Sequence, residues 1–484
     1  DSACVNYTGT RLCRLAQRRQ QGAVVCGWAF AGSCVHVADS LDQFAALRTR
    51  LLLDRPAPQR DVWSRLLGCL GSAGGSFFPL KSYQRWGYQR WRARYSGAQG
   101  AALDEAKKSL DTFGCSARAL QYSSMFVKRE TKNWNVVGSN SSEVKPRVIV
   151  ACPPVVKVAL GPTIVAVSEA LAREWSFESP VFFECGSSQC EVGDWFSSHL
   201  EKCGSSWLFE SDFSKMDRSQ SSLSLGFVNR LLFDIGVKGL PALCLRSQTW
   251  RQNVVSRDGY HVSTPAFLKS GVPNTTLYNT IVNAAVHWYS FVKAGGRPGV
   301  DFWLMVRGDD NLAFVRPGLE CNLVQDALAL GFNLKVKRPG CPSHARFCSN
   351  AFYPIADGRY MPAPTIGKCL FKLAYTASTI RRGYERAHLR GVALGLLALV
   401  NHVPLLRDYV QRILQLTTGA RGRELRDAVR ESHRKYLVGS SFHASPLADH
   451  YVCEMYGCDL SVLAAMRAVI LSMDRCGYYG NSQT

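Results

Sequence analysis

Two aspartates five residues apart, a serine–glycine pair leading into a helix, and a doubled aspartate in a turn are the residues best suited to chemistry. They are Asp212-Phe213-Ser214-Lys215-Met216-Asp217, then Ser270-Gly271 followed by Thr275 and Asn279, then Gly308-Asp309-Asp310. Carboxylates gathered at strand ends repel one another unless divalent cations sit among them. Mg²⁺ suits such a cluster, because it takes a few carboxylates and completes its shell with phosphate oxygens and water. Two ions held this way lower the pKa of an attacking hydroxyl and stabilise the leaving oxygen of an in-line phosphoryl transfer. A lone Gly-Asp-Asp is more often a surface turn. The three blocks in this order, about 60 and then about 40 residues apart, are far more specific.

The surrounding pattern supplies elements to hold them. Residues 205–212 read as a strand, an apolar run ending in acids. Residues 302–306 and 312–315 read as strands around a tight turn that Gly308 permits. Residues 219–236 and 274–293 have the 3.6-residue apolar period of helices, and 319–330 reads as a helix stopped by Gly331. The helical spacing of 156–175 is broken at Gly161-Pro162. Residues 71–76 form a glycine-rich break, and everything after about 377 is mostly helical, with arginines on the polar face over 381–435. The order is a mixed front, a central α+β unit and a helical tail.

The three blocks resemble motifs A, B and C of viral RNA-dependent RNA polymerases, and further blocks follow in the same order. Lys128-Arg129-Glu130 with Lys145-Pro146-Arg147 resembles motif F, the basic hairpin over the incoming nucleoside triphosphate. Residues 330–337, with Lys335 and Lys337, resemble motif D. Arg346-Phe347-Cys348-Ser349 followed by Phe352-Tyr353-Pro354 resembles motif E, the primer-grip hairpin. Residues 155–162 and the Phe347-Cys348-Ser349 block are most similar to positive-strand viruses of the tombusvirus-like and nodavirus-like groups. The resemblance covers about residues 125–372.

That resemblance implies an α+β right-hand polymerase, with an antiparallel palm sheet flanked by helices and a helical thumb. Residues 1–205 would form an N-terminal extension and fingers, with motif F at about 125–150. Residues 206–220 would hold palm motif A, 221–265 a fingers insertion, 266–375 palm motifs B to E, and 376–484 the thumb. Asp212 and Asp309 would ligate two Mg²⁺ (or Mn²⁺) ions, with Asp310 a weaker ligand. Asp217 and Asn279 would read the ribose, Ser270 and Thr275 would position them, and Gly271 would let the loop flex. Lys128, Arg129, Lys145 and Arg147 would bind the triphosphate. Either Lys335 or Lys337 would protonate the pyrophosphate, and the sequence does not choose between them.

The composition agrees. Lys and Arg total 58 against 37 Asp and Glu, a net charge of +21 that favours a polyanionic partner. RNA template, duplex product and nucleoside triphosphates are the expected partners, together with other viral replication proteins. The longest apolar run, 392–400, falls short of the roughly 18 residues that span a bilayer. Membrane contact is therefore expected only through regions outside this chain, within a membrane-associated replication complex in the host cytoplasm. The chain opens at Asp1 without Met, as expected of either an excised domain or a piece cleaved from a longer polyprotein, and its 18 cysteines read as reduced thiols. Basic and aromatic residues interleave over 81–95, which suits unpaired RNA and, equally, a solvated amphipathic helix whose Trp and Tyr pack inward; the arginines of 381–435 suit a duplex backbone.

Two rivals remain at this point. A reverse transcriptase shares the chemistry but usually carries an aromatic residue where this chain has Asp217, and Tyr-x-Asp-Asp where it has Arg307-Gly308-Asp309-Asp310. A non-catalytic RNA-binding scaffold explains the charge, but clustered acids would weaken its binding.

Overall fold

The structure, a computed structural model, describes residues 4–7, 33–35, 40–52, 54–72, 77–128, 131–133, 146–374, 383–421 and 442–474. The front of the chain carries strands β1 (Cys4–Tyr7), β2 (Ser33–Val35), β3 (Tyr122–Val127), β4 (Thr131–Asn133) and β5 (Val148–Ala151). The middle carries β6 (Val181–Phe183), β7 (Leu208–Phe213), β8 (Gln252–Ser256), β9 (Tyr260–Thr264), β10 (Phe302–Arg307) and β11 (Asp310–Val315). The strands β12 (Leu334–Lys337), β13 (Arg346–Phe347), β14 (Asn350–Pro354) and β15 (Tyr360–Pro364) follow.

A central sheet of order β12-β7-β11-β10-β6 holds the first and third chemical blocks. It is antiparallel from β12 to β10, but β6 joins β10 in parallel. The expected antiparallel sheet is thus a mixed one. The chain leaves the helix Pro154–Glu174 through a short turn, closed by Phe183 N–H donating to Trp175 O, and so meets the sheet edge in the direction of β10.

Each face of this sheet has its own core. On one side lies the helix Thr275–Lys293, whose residues 277–291 are all buried. It packs with Phe209, Phe213, Leu304 and Val306 of the sheet. On the other side Trp195 and Phe196, from the helix Gln189–Cys203, meet Leu208, Met305, Leu312 and Phe314. The alternation along β7 and β11 makes this possible, since successive side chains point to opposite faces.

A second sheet, β1-β9-β8-β3-β5, packs on Leu47, Leu51 and Phe267. After residue 383 four helices follow among the described residues: Glu385–Val400, Leu406–Leu416, Ala448–Tyr456 and Leu460–Ser472. They share a core with β14, β15 and the helix Ile366–Ala374.

Three local expectations shift. The helix Pro154–Glu174 runs unbroken through Pro162. Burial on nearly all sides outweighs the lost hydrogen bond, and a Cβ at Gly161 would lie 2.2 Å from the Trp91 ring. This same helix is long and apolar enough to cross a membrane, and 67% of its most apolar stretch is buried inside the protein. The helix expected over 319–330 is only Leu323–Ala329, because Pro317-Gly318 turns the chain and Asn322 starts the helix late.

One segment of the early chain straps the centre together. A single Arg55 nitrogen, Nη1, donates to the carbonyls of Arg218, Gln220 and Ala266 at 3.3, 2.5 and 2.7 Å. Gln59 N–H donates to Ala329 O, Trp63 Nε1 to Leu330 O, and the Pro58 ring lies against Gly331.

Candidate active site

The register of the central sheet lines up charges in one row. Asp310 lies opposite Asp212, Lys335 opposite Asp212 on the other side, and Arg307 opposite Asp310. Directly opposite residues share a face, so the row reads Arg307, Asp310, Asp212, Lys335. Gly308, at φ 62°, makes the turn that carries Asp309 at its tip. Burial pushes the Asp310 carboxyl above its ordinary pKa, Asp309 pushes it further, and Asp212 adds to both. Arg307 is held by the buried Glu184 at 2.6 Å.

The two lysines of the fourth block separate here. Lys335 stands beside Asp212, whereas Lys337 lies opposite Glu210 and its Nζ donates to His344 O at 3.3 Å. Cys348 and Ser349, both at positive φ, form the tight turn between β13 and β14. The Cys348 thiol sits against Asp310, where burial raises its own pKa strongly.

Among the described residues no three His, Cys, Asp or Glu side chains converge into a ready-made metal cage. Mg²⁺ takes one or two carboxylates and leaves the remaining positions to water and substrate phosphate. A paired Asp212 and Asp310 with Asp309 at the tip fits that demand.

Asp217 rides on the short helix Met216–Ser219, which Lys215 enters in left-handed backbone at φ 55°. Asn279 Nδ2 donates to Asp217 Oδ1 at 2.6 Å, and Gln220 Nε2 donates to Asn279 Oδ1 at 3.0 Å. Burial raises the Asp217 pKa to about 6, against the Asn279 hydrogen bond, which lowers it.

Ser270 and Thr275 serve the loop between these blocks rather than Asn279 directly. Ser270 Oγ accepts from Val150 N–H at 3.2 Å, and Thr275 Oγ1 donates to Lys269 O at 2.7 Å. Gly271 N–H donates to Val150 O at 2.9 Å, and Gly271 bridges to Ala151. The expected freedom of Gly271 is replaced by close approach: a Cβ there would lie 2.8 Å from Val150 O.

A cavity of about 150 Å³ opens between these parts, lined by Asp217, Asp309 and Ser270 together with Arg50, Arg147 and Arg218. Two Arg218 nitrogens, Nε and Nη1, are buried with no acceptor among the described residues, and burial with the nearby Arg55 lowers its pKa to about 10. Lys128 is half-buried, and its N–H donates to Arg147 O. Arg129 and Lys145 lie outside the described residues. Sequence reasoning missed Arg50, Arg55 and Arg218. The first two lie in a segment without pattern; Arg218 had one signal, a cation beside an essential acid.

The basic–aromatic stretch turns its rings inward. Trp91 is buried, Tyr88 Oη donates to Asp104, and Trp86 is covered by Arg90 at 3.8 Å. Arg92 is spent on Asp104, with nitrogens 2.9 and 2.6 Å from its two oxygens. Arg85 and Arg90 remain exposed. In the helical tail Arg386 and Arg390 donate to Leu416 O and Leu414 O at a helix end. Arg421 is exposed; Arg423 and Arg426 lie outside the described residues.

Residues 80–390 match a family model described as RNA dependent RNA polymerase. Comparison with curated proteins gave no match. The matched span includes every block named above, from the basic hairpin to the β13–β14 turn.

Proposed function

Since the chain belongs to the viral RNA-dependent RNA polymerases, a family matched over more than half its length, we propose that it replicates a positive-strand viral genome by a two-metal-ion mechanism. Its substrates are an RNA template and nucleoside triphosphates. The observation that carries the mechanism is the row Arg307, Asp310, Asp212, Lys335 beneath the Asp309 turn. Bound Mg²⁺ or Mn²⁺ supplies the charge that activates the primer hydroxyl and steadies the departing pyrophosphate.

The chain's own groups do the rest. Asp212, Asp309 and Asp310 hold the ions. Arg147 and Arg218 receive the triphosphate, with Lys128, Arg129 and Lys145 in the same basic hairpin; guanidinium groups suit phosphate because of their planar fork. Of the two motif D lysines, Lys335 hands a proton to the pyrophosphate in this reading, which its register opposite Asp212 supports. Fingers come from residues 1–205 and 221–265, the palm from 206–220 and 266–375, and the thumb from 376–484. The tombusvirus-like and nodavirus-like groups are the proposed kin, and a membrane-associated complex in the host cytoplasm the proposed location. A primer-free incorporation assay on a defined RNA, with and without Mg²⁺, tests the reading; a chain that binds RNA but incorporates nothing is a scaffold.

Sugar choice rests on Asp217 and Asn279. Removing either reduces the preference for ribonucleotides over 2′-deoxynucleotides by about 10- to 100-fold, since a lost partner leaves a buried polar group unpaired. Asp217→Asn carries a second signature. The folded pKa of about 6 lies above the ordinary 3.8, so the buried carboxylate costs stability above pH 6 and nothing below about pH 4. The asparagine variant is therefore more stable than the parent at pH 8, by about 1–3 kcal/mol, and the gain fades as pH falls through 6. Thermal melts at pH 8 and pH 5 check it.

RNA affinity gives a further prediction. Arg85→Gln and Arg90→Gln each flatten the salt dependence of single-stranded RNA binding by about 0.7 in log–log slope. Arg92→Gln lowers the melting temperature and leaves the slope alone, because its charge is committed to Asp104. Equal slopes for all three variants would remove this surface from the RNA path.

A further inference from the structure

The buried helix Thr275–Lys293 carries a polar stripe that the chemistry above does not use. Thr280, Asn283 and His287 have no exposed surface at all. Thr280 Oγ1 accepts from Gly308 N–H at 2.7 Å. Asn283 Nδ2 donates to Gly308 O at 3.1 Å and to Asp310 O at 3.0 Å, the two carbonyls that bracket Asp309. Asn283 Oδ1 faces Asn311 Nδ2 at 3.4 Å. One turn on, His287 Nδ1 donates to Asn283 O, which leaves Nε2 to accept from Ser211 Oγ at 2.7 Å.

Ser211 and Asn311 are opposite one another in the sheet and are the immediate neighbours of Asp212 and Asp310. The carboxylates point away from the helix; the residues beside them point into it. One turn before Asn283, on the same face of the helix, stands Asn279, whose amide meets Asp217. The helix thus touches the sugar corner at one position and the catalytic turn at the next.

We propose that Asn283 is a positioning residue that couples occupancy of the sugar corner to placement of the Asp309–Asp310 turn. This rests on the polymerase reading. A ribose seated on Asn279 bears on a helix that moves as a rigid body, since its side chains are packed on every side. Asn283 carries that constraint to both carbonyls around Asp309. A 2′-deoxy sugar engages Asn279 less, and the turn is held less firmly for chemistry. Discrimination then appears in the rate of incorporation as well as in binding. Three buried polar groups in an apolar core cost stability unless fully bonded, and here five of their seven side-chain bonds go to the backbone or neighbours of the catalytic residues, the other two to the helix's own carbonyls.

The test is a double-mutant cycle between Asn279→Ala and Asn283→Ala, read as single-turnover incorporation of ribo- and 2′-deoxynucleotides. Asn283→Ala is expected to lower kcat on ribonucleotides by about 10- to 100-fold with KM nearly unchanged. Its effect on deoxynucleotides is much smaller, and the double variant falls less than the product of the single effects. Asn283→Ser, which keeps one donor, recovers part of the rate. Hydrogen exchange on the unmodified protein gives a readout independent of turnover: ribonucleotide slows the amides of 306–311 more than deoxynucleotide does. A multiplicative cycle, a loss of melting temperature with kcat intact, or equal protection by both sugars overturns the coupling. Absence of any incorporation by the unmodified chain would instead sink the polymerase reading, so the two failures are distinguishable.

Discussion

Asparagine in place of Asp309 or Asp212 is expected to cut nucleotide incorporation by about 10³-fold or more, while the fold and RNA affinity survive. Both side chains are exposed; Asp212 stands on the face of the sheet away from the helix Thr275–Lys293, and Asp309 lies at the tip of the β10–β11 turn. Asparagine preserves their shape and removes only charge. Removing one negative charge relieves Asp310, which Asp309 and Asp212 both disfavour in its ionised form, so melting temperature should hold or rise. Incorporation in Mg²⁺, melting and RNA titration on the same preparations decide the matter. Near-normal elongation by either variant would end the assignment of the metal site.

The second large effect comes from a single methyl group. In Gly271→Ala the new carbon would lie 2.8 Å from Val150 O and 2.9 Å from Ala151 Cα. Both are backbone atoms of β5, so no side-chain rotation relieves the clash. The loop must part from β5, losing the Gly271 N–H bond and pulling Ser270 from Val150. Activity is expected to fall by about 100-fold, with a stability loss of about 1–3 kcal/mol. Gly68→Ala is the control. It sits in the helix Arg60–Ser72 with no described residue within 4 Å of its missing Cβ, and should gain about 0.5–1 kcal/mol. Equal activity for both variants would mean that the loop's junction with β5 is dispensable.

What could be read in advance was local. The turn around Gly308 and its two strands, and the helix from Thr275, announced themselves through alternation and period. Each is made by residues adjacent in sequence, whose pattern records which face is buried. Within the β1-β9-β8-β3-β5 sheet, β1 pairs with β9 and β3 with β8 across more than a hundred residues, and no local pattern specifies such partners. The parallel edge at β6 was missed for the same reason. Lys335 and Lys337 have the same neighbours in sequence, and only register separates them, one opposite Asp212 and the other opposite Glu210. The aromatic stretch was ambiguous for a different reason. Interleaved rings and arginines suit RNA stacking and inward packing equally, and Trp91 under Gly161 shows that packing claimed the rings.

The Arg55–Trp63 strap bears on how the chain reaches this fold during synthesis. Arg55 waits for acceptors 163, 165 and 211 residues downstream, and Trp63 for one 267 residues away. At about 5–20 residues per second of translation, those partners emerge roughly 10–50 s later. In that interval the nascent front of the chain carries an unpaired guanidinium and an uncovered indole. Contacts of such sequence separation also form slowly, because the loop must close before they repay its entropy. Assembly of the catalytic centre therefore waits on downstream synthesis, and a nascent chain that ends before residue 331 has not yet made the residue that lies against Pro58.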